Sequence, residues 1–328
     1  GHISDSRDAL TGLPVYSLYG STREPSDEML SGIDVMVYDI QDVGARSYTF
    51  ISTLGLVMRA CGRLGIEVMV LDRPNPLGGE KVEGCLVEDG QHSFVSQFKI
   101  PYVYGLTVGE LAMLINEEGL NCGQKGNLPH VKCELSVVPM EGWHRWMRYN
   151  DTGLPWILPS PNIPSPTAAA GYPSAGVIGE LPDYLNVGVG YTIPFQTFAA
   201  EWVDAQKLKE LLDSYEIPGT AFRTIHYKPT SGPCAGKLLH GVEFFYTDYE
   251  NACITLTQFY VMQAVAQLYP GRRPFAAGKS VGLFDKVCGT DYVKSVFQRT
   301  YKVSDIAGYW HKDEASFKEL SAGYYLYD

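Results

Sequence analysis

The run Asp39-Ile40-Gln41-Asp42-Val43-Gly44-Ala45-Arg46-Ser47-Tyr48-Thr49 puts two carboxylates, a guanidinium and a phenol close together. Such a set can hold a substrate hydroxyl, counter a ligand's charge or move a proton. A second run, Leu71-Asp72-Arg73-Pro74-Asn75-Pro76, repeats the pattern. Its prolines fix φ and bias Arg73 and Asn75 towards extended backbone, which suits a preorganised loop. Glu83, wedged between Val82 and Gly84, is placed for partial burial, which raises a carboxyl pKa and makes a general acid. Ser160-Pro161-Asn162-Ile163-Pro164 holds a further amide between prolines. Each feature also has a plainer reading: Asp42 caps a following helix and Arg46 pairs with Asp39, the prolines only stiffen a loop, and the Asn162 segment is a linker turn.

These residues need elements to position them. Residues 14–18, 34–39 and 66–72 are short β-branched runs that read as buried parallel strands. Between the second and third, Phe50, Ile51, Leu54, Val57, Met58, Cys61 and Leu64 share one helical face, closed by Gly65. Thr107 and Glu110 form a capping-box signature for a helix running to Gly119, and a strand follows at 134–138. The first half is thus predicted to be a doubly wound α/β layer, with its site at the carboxyl ends of the strands. From Leu154 to Pro194 the chain is rich in proline and glycine and reads as a crossing between domains. The rest predicts an α+β domain, with helices near 203–215, 251–268, 290–300 and 313–320 and strands near 220–226 and 240–247.

Composition bounds the function. The 328 residues carry a net charge of -11, which argues against a nucleic-acid or anionic-membrane surface. No apolar run is long enough to span a bilayer. Seven cysteines with no Cys-x-x-Cys pair read as buried small hydrophobes, with at most one or two disulfides. No dinucleotide fingerprint, Walker A motif, nucleophile elbow or His-Glu-x-x-His is present, so neither a cofactor nor a resident metal is expected. The histidines are scattered singly; His240 alone, at a strand start, is singled out as a functional possibility. Tyr102, Tyr104, Trp143, Trp146 and Trp156 are offered as a sugar-stacking wall.

Taken in order, Thr11 to Gly20, Asp39 to Arg46, Leu71 to Pro76, Val82-Glu83-Gly84 and Pro159 to Pro164 resemble the NamZ-type exo-β-N-acetylmuramidases across essentially the whole chain. The resemblance implies a Rossmann-like parallel-sheet domain over residues 1–164 and a smaller α+β C-terminal domain over 165–328. It further implies a cleft between them that releases terminal N-acetylmuramic acid from peptidoglycan fragments, and a periplasmic or extracellular location. The chain departs from that family at two points. It has no Pro-Glu-His-Gly tetrapeptide, which would fall before Gly1 with a further strand and helix, and Val187-Gly188-Val189-Gly190 stands where members carry Glu-Gly-Arg-Gly.

On this reading Glu83 is the catalytic carboxylate. Asp39, Asp42, Arg46, Tyr48, Asp72, Arg73, Asn75 and Asn162 bind the sugar, and Arg46 or Arg73 reads its lactyl carboxylate. Two other functions compete. Asp39, Asp42 and Asp72 could ligate magnesium in a phosphoesterase, or the cleft could bind glycan without turning it over.

Overall fold

The computed structural model describes residues 4–20, 22–119, 130–181, 183–275, 281 and 283–328. Its first elements, β1 (Ser6–Arg7) and β2 (Pro14–Val15), form an exposed antiparallel pair. The buried parallel strand expected at 14–18 is therefore corrected. Asp8 accepts the N–H groups of Leu10 and Thr11 at 3.1 and 2.7 Å, and this turn folds the chain back on itself.

The parallel sheet is β3 (Val35–Tyr38), β4 (Glu67–Leu71) and β5 (Leu135–Val138), in the order β3-β4-β5 with Tyr38 beside Val70 and Leu71 beside Val138. The α1 helix (Phe50–Leu64) connects the first two, burying Ile51, Leu54, Met58 and Cys61 on the face the spacing predicts. Each large apolar chain so buried contributes about 1.5–3 kcal/mol. Gly65 ends the helix in the left-handed conformation, at φ 71°. The α2 helix (Val108–Glu118) begins with the expected capping box, Thr107 accepting Glu110 N–H at 3.2 Å and Glu110 accepting Thr107 N–H at 3.0 Å.

The proline-rich crossing holds α3 (Pro166–Gly179), which composition hid. Ser165 caps it, Pro166 sits in the first turn where its missing N–H costs nothing, and buried Ala168, Ala169, Gly171, Ser174 and Gly176 let neighbours approach closely. The second half continues with β6 (Thr197–Ala200), α4 (Ala205–Asp213), β7 (Thr220–Tyr227), β8 (Leu239–Tyr246) and α5 (Thr257–Leu268). The antiparallel sheet runs β6-β8-β7. Short helices α6 (Phe284–Cys288), α7 (Tyr292–Thr300), α8 (Ser304–Trp310) and α9 (Glu314–Ser321) close the chain. The helix expected from 251 starts only at Thr257, because the N–H groups of Ile254 and Thr255 are directed to Glu83.

Two cores result. One joins α1, α2 and the parallel sheet. The other centres on the antiparallel sheet and α5 to α8, yet takes in Leu77, Cys85, Tyr102 and Val103 from the first half. The C-terminal tail also returns to the first half: Phe317 enters the parallel-sheet core and Tyr327 donates to Asp72 at 2.6 Å. No helix among the described residues is long and apolar enough to cross a membrane.

Candidate functional site at the carboxyl ends of the parallel strands

Because β3 and β4 are parallel neighbours, the loops that follow them open on one edge of the sheet. There Asp39 Oδ1 accepts from Arg73 Nε at 2.7 Å and pairs with Nη2 at 2.6 Å. Both side chains are partly open to solvent. The Gln41 amide donates to the carbonyls of Asp42 and Pro74, at 2.8 and 2.9 Å, and so fixes the two loops side by side. Gly44 turns the chain at φ 78°, and a Cβ there would run into the Asn75 side chain. Asn75 is braced in turn, donating to Leu106 O and accepting from Leu77 N–H, both at 2.9 Å.

Asp42 lies buried beneath this turn. Its Oδ2 accepts Gly44 N–H at 2.7 Å and the Tyr104 hydroxyl, while Oδ1 has no hydrogen-bond partner among the described residues. Burial pushes its pKa up to about 6, against the opposing pull of Tyr104 and the Gly44 N–H. A desolvated carboxylate with one oxygen unpaired is costly, so the acid keeps its proton under mildly acidic conditions. Asp42 is not a helix cap: α1 starts at Phe50, with Thr49 in the capping position.

Tyr48 faces the same place. Burial and the Asp42 carboxylate both push its hydroxyl pKa up, and the Ser160 hydroxyl opposes them. Its ring packs edge-on against Tyr172, with centroids 5.6 Å apart. Ser47 Oγ lies 3.2 Å from the Tyr172 hydroxyl and donates to Tyr102 at 3.0 Å. Asn162 is exposed, and its N–H donates to Ser160 Oγ at 3.3 Å. Asp39, Asp42, Tyr48 and Arg73 thus share this edge, with Asn75 behind it, while the Asn162 side chain contacts none of them among the described residues.

Three residues expected here are turned elsewhere. Arg46 is fully buried and spends all five donors, on Ser96 Oγ and on the carbonyls of Cys85, Ile100, Val287 and Cys288, at 2.5–3.2 Å. It staples the halves of the chain and has no N–H left for a lactyl carboxylate, which corrects its assignment to the sugar. Asp72 accepts from Arg73 and Gly109 N–H, Thr107 Oγ1 and Tyr327 at 2.6–3.0 Å, tying β4 to the start of α2. Burial is the largest influence on it and raises its pKa.

Glu83 bridges the two halves of the chain. Oε1 accepts Ile254 N–H at 3.1 Å and lies 3.6 Å from Lys81 Nζ; Oε2 accepts Thr255 N–H at 2.8 Å, Thr255 Oγ1 at 2.7 Å and Cys253 Sγ at 3.5 Å. It lines a cavity of about 350 Å³ with Lys81, Arg148, Tyr249, His311 and Glu314. Donors already hold both oxygens, so presenting one to a glycosidic bond would break a tie between the halves.

The aromatic wall and the magnesium site are corrected as well. Tyr102, Tyr104 and Trp143 are buried and Trp156 donates to Ile163 O at 3.0 Å, so with Trp146 they make no continuous stacking wall. His240 meets His226 across β7 and β8, Nδ1 to Nδ1 at 2.7 Å. Six cysteines are free thiols, and Cys122 lies outside the described residues. Among the described residues no three His, Cys, Asp or Glu side chains are placed to share a metal ion. Asp39, Asp42 and Asp72 each meet a different donor set, which removes the magnesium reading. Tyr172 escaped notice because it sits in α3, inside the proline-rich tract.

Comparison with known proteins agrees across both halves. Residues 1–167 match the family model for exo-beta-N-acetylmuramidase NamZ, N-terminal, and residues 170–327 match the model for its C-terminal part. The peptidoglycan beta-N-acetylmuramidase NamZ of Bacillus subtilis (strain 168) is 38% identical over 320 residues, covering 98% of this chain and 74% of that protein. Two crystal structures of DUF1343 family proteins from Bacteroides fragilis NCTC 9343 are similar. One has a TM-score of 0.92 at 49% identity and the other 0.77 at 29%, each covering 98% of this chain and 82% of the other. The chain belongs to the NamZ exo-β-N-acetylmuramidase family.

Proposed function

We propose that the protein is a glycoside hydrolase that releases terminal N-acetylmuramic acid from peptidoglycan fragments at the carboxyl edge of its Rossmann-like parallel sheet. The observation that carries this is the match to a peptidoglycan β-N-acetylmuramidase along 98% of the chain. The site geometry supports it. Glycoside hydrolysis needs a carboxyl group that still holds its proton, and Asp42, buried with one oxygen unpaired, is such a group. Asp39 and Arg73 stand at the open rim, where a guanidinium suits the lactyl carboxylate of the sugar and a carboxylate accepts from its hydroxyls. Tyr48 flanks them, and the exposed Asn162 lies two residues beyond Ser160, which faces the Tyr48 hydroxyl. Glu83 is reassigned from acid to tie, since its oxygens hold the loop before α5.

The test is incubation of the protein with a disaccharide of N-acetylmuramic acid linked β to N-acetylglucosamine, followed by chromatography. Release of both sugars is expected. Binding of the disaccharide without cleavage would overturn the hydrolase and leave a glycan-binding protein. A substrate in the cell wall also supports a periplasmic or extracellular location, for which retention of the protein in a spheroplast fraction would be the contrary result.

A further inference from the structure

The α3 helix ends at Gly179, and the next residue, Glu180, borders a cavity of about 500 Å³ lined also by Tyr172, Trp202, Lys237 and Arg272. Sites for small molecules commonly span about 300–1,000 Å³. What marks this cavity is a carboxylate that is half-buried yet unpartnered among the described residues. Glu180 is half-buried, and its side chain makes no hydrogen bond or ion pair among the described residues. Burial alone raises its pKa. Glu201 at the same rim, by contrast, is paired with Lys237 at 3.2 Å. Arg272 is exposed and lies over the Trp202 ring, 5.1 Å from its centroid, without a carboxylate partner among the described residues.

The cavity adjoins the strand-end site through one side chain. Tyr172 lines it, packs against Tyr48 and meets Ser47; burial is what chiefly raises its hydroxyl pKa, with the Glu180 and Asp42 carboxylates adding to the rise. Two acids with no common partner therefore stand around one tyrosine, one under the turn after β3 and one in the cavity.

We propose that this cavity is a sugar-binding subsite of the same active site, with Glu180 accepting from sugar hydroxyls, Trp202 contacting the ring and Arg272 pairing with an acidic substituent. The inference rests on the glycosidase reading for its ligand class. A half-buried carboxylate without a donor is costly, and a sugar hydroxyl relieves that cost. A guanidinium held over an indole at the cavity wall suits a sugar acid better than a neutral sugar, the indole edge being left for the sugar ring.

Calorimetric titration of N-acetylmuramic acid and of N-acetylglucosamine into the parent, Glu180→Gln and Arg272→Gln tests this, with melting temperature as a control for folding. Glu180→Gln is expected to weaken both sugars on the order of 10-fold, and Arg272→Gln only the acid sugar, as a lost charge-assisted contact requires. Parent-like affinity in both variants, at unchanged melting temperature, overturns the subsite. Turnover of the disaccharide by the parent separates the two claims. Normal turnover with neutral variants leaves the hydrolase standing and removes the subsite, whereas Glu180-dependent binding without turnover keeps the subsite and removes the hydrolase.

Discussion

Asp42 and Glu83 are both buried, 3% and 5% exposed, yet the donors that reach them differ. Asp42 receives two donors on one oxygen and none among the described residues on the other. Glu83 receives donors on both oxygens, from a loop belonging to the other half of the chain. The proposed division of roles therefore rests not on burial, which the two share, but on the number and origin of the donors that reach each carboxylate. The strand-end edge keeps polar capacity in reserve, while the region between the halves spends it on cohesion, as Arg46 does with all five donors.

That contrast is sharpened first by Arg46→Ala. Its loss leaves several buried acceptors unpaired, and urea denaturation should show a deficit of about 3–5 kcal/mol. A deficit under about 1 kcal/mol would mean that the staple holds little, since typical surface changes cost no more. Next comes the pH dependence of Asp42. Its pKa rises on folding from 3.8 to about 6, so the folded state retains a proton that the unfolded chain gives up. The corresponding stability is fully present below about pH 4 and is lost as the pH rises through about 6, roughly 3 kcal/mol in all. Asp42→Asn should remove that slope from denaturation measured between those values; an unchanged slope would place it on another group.

Glu83→Gln should cost roughly 1.5–3 kcal/mol, because an amide cannot accept from every donor that the carboxylate satisfies. Its turnover at a temperature where it is folded should stay within about tenfold of the parent, well short of the loss expected when a general acid is removed. Smallest is Asp39→Asn. An exposed ion pair contributes about 0–1 kcal/mol, so melting should barely move while KM for the muramide rises. A large stability loss instead would show that Asp39 belongs to the scaffold rather than the rim.

Much of the scaffold was legible from local rules. The face of α1, the capping box at Thr107 and the pairing of β3 with β4 follow from periodicity and cap chemistry that adjacent residues carry. The strand-end edge was legible for the same reason, since parallel neighbours must open together. What was hidden depends on partners far along the chain. Arg46 pointed to a ligand until the carbonyls of Val287 and Cys288 met it, and Glu83 looked free until Ile254 and Thr255 reached it. Tyr172 and Glu180 sit in and just after a helix whose proline and glycine content argues against any helix, and small buried residues rather than propensity hold it in place.

The most direct test of the division between Asp42 and Glu83 is the pH dependence of kcat/KM for a chromogenic N-acetylmuramide, measured on the parent, Asp42→Asn and Glu83→Gln. If Asp42 supplies the proton, the parent rate falls as the pH rises through about 6, where that acid ionises. The limb should vanish in Asp42→Asn, with the rate down on the order of 10²- to 10⁴-fold, and persist in Glu83→Gln. A limb that survives in Asp42→Asn and disappears in Glu83→Gln would contradict the account and return the acid to the cavity between the two halves.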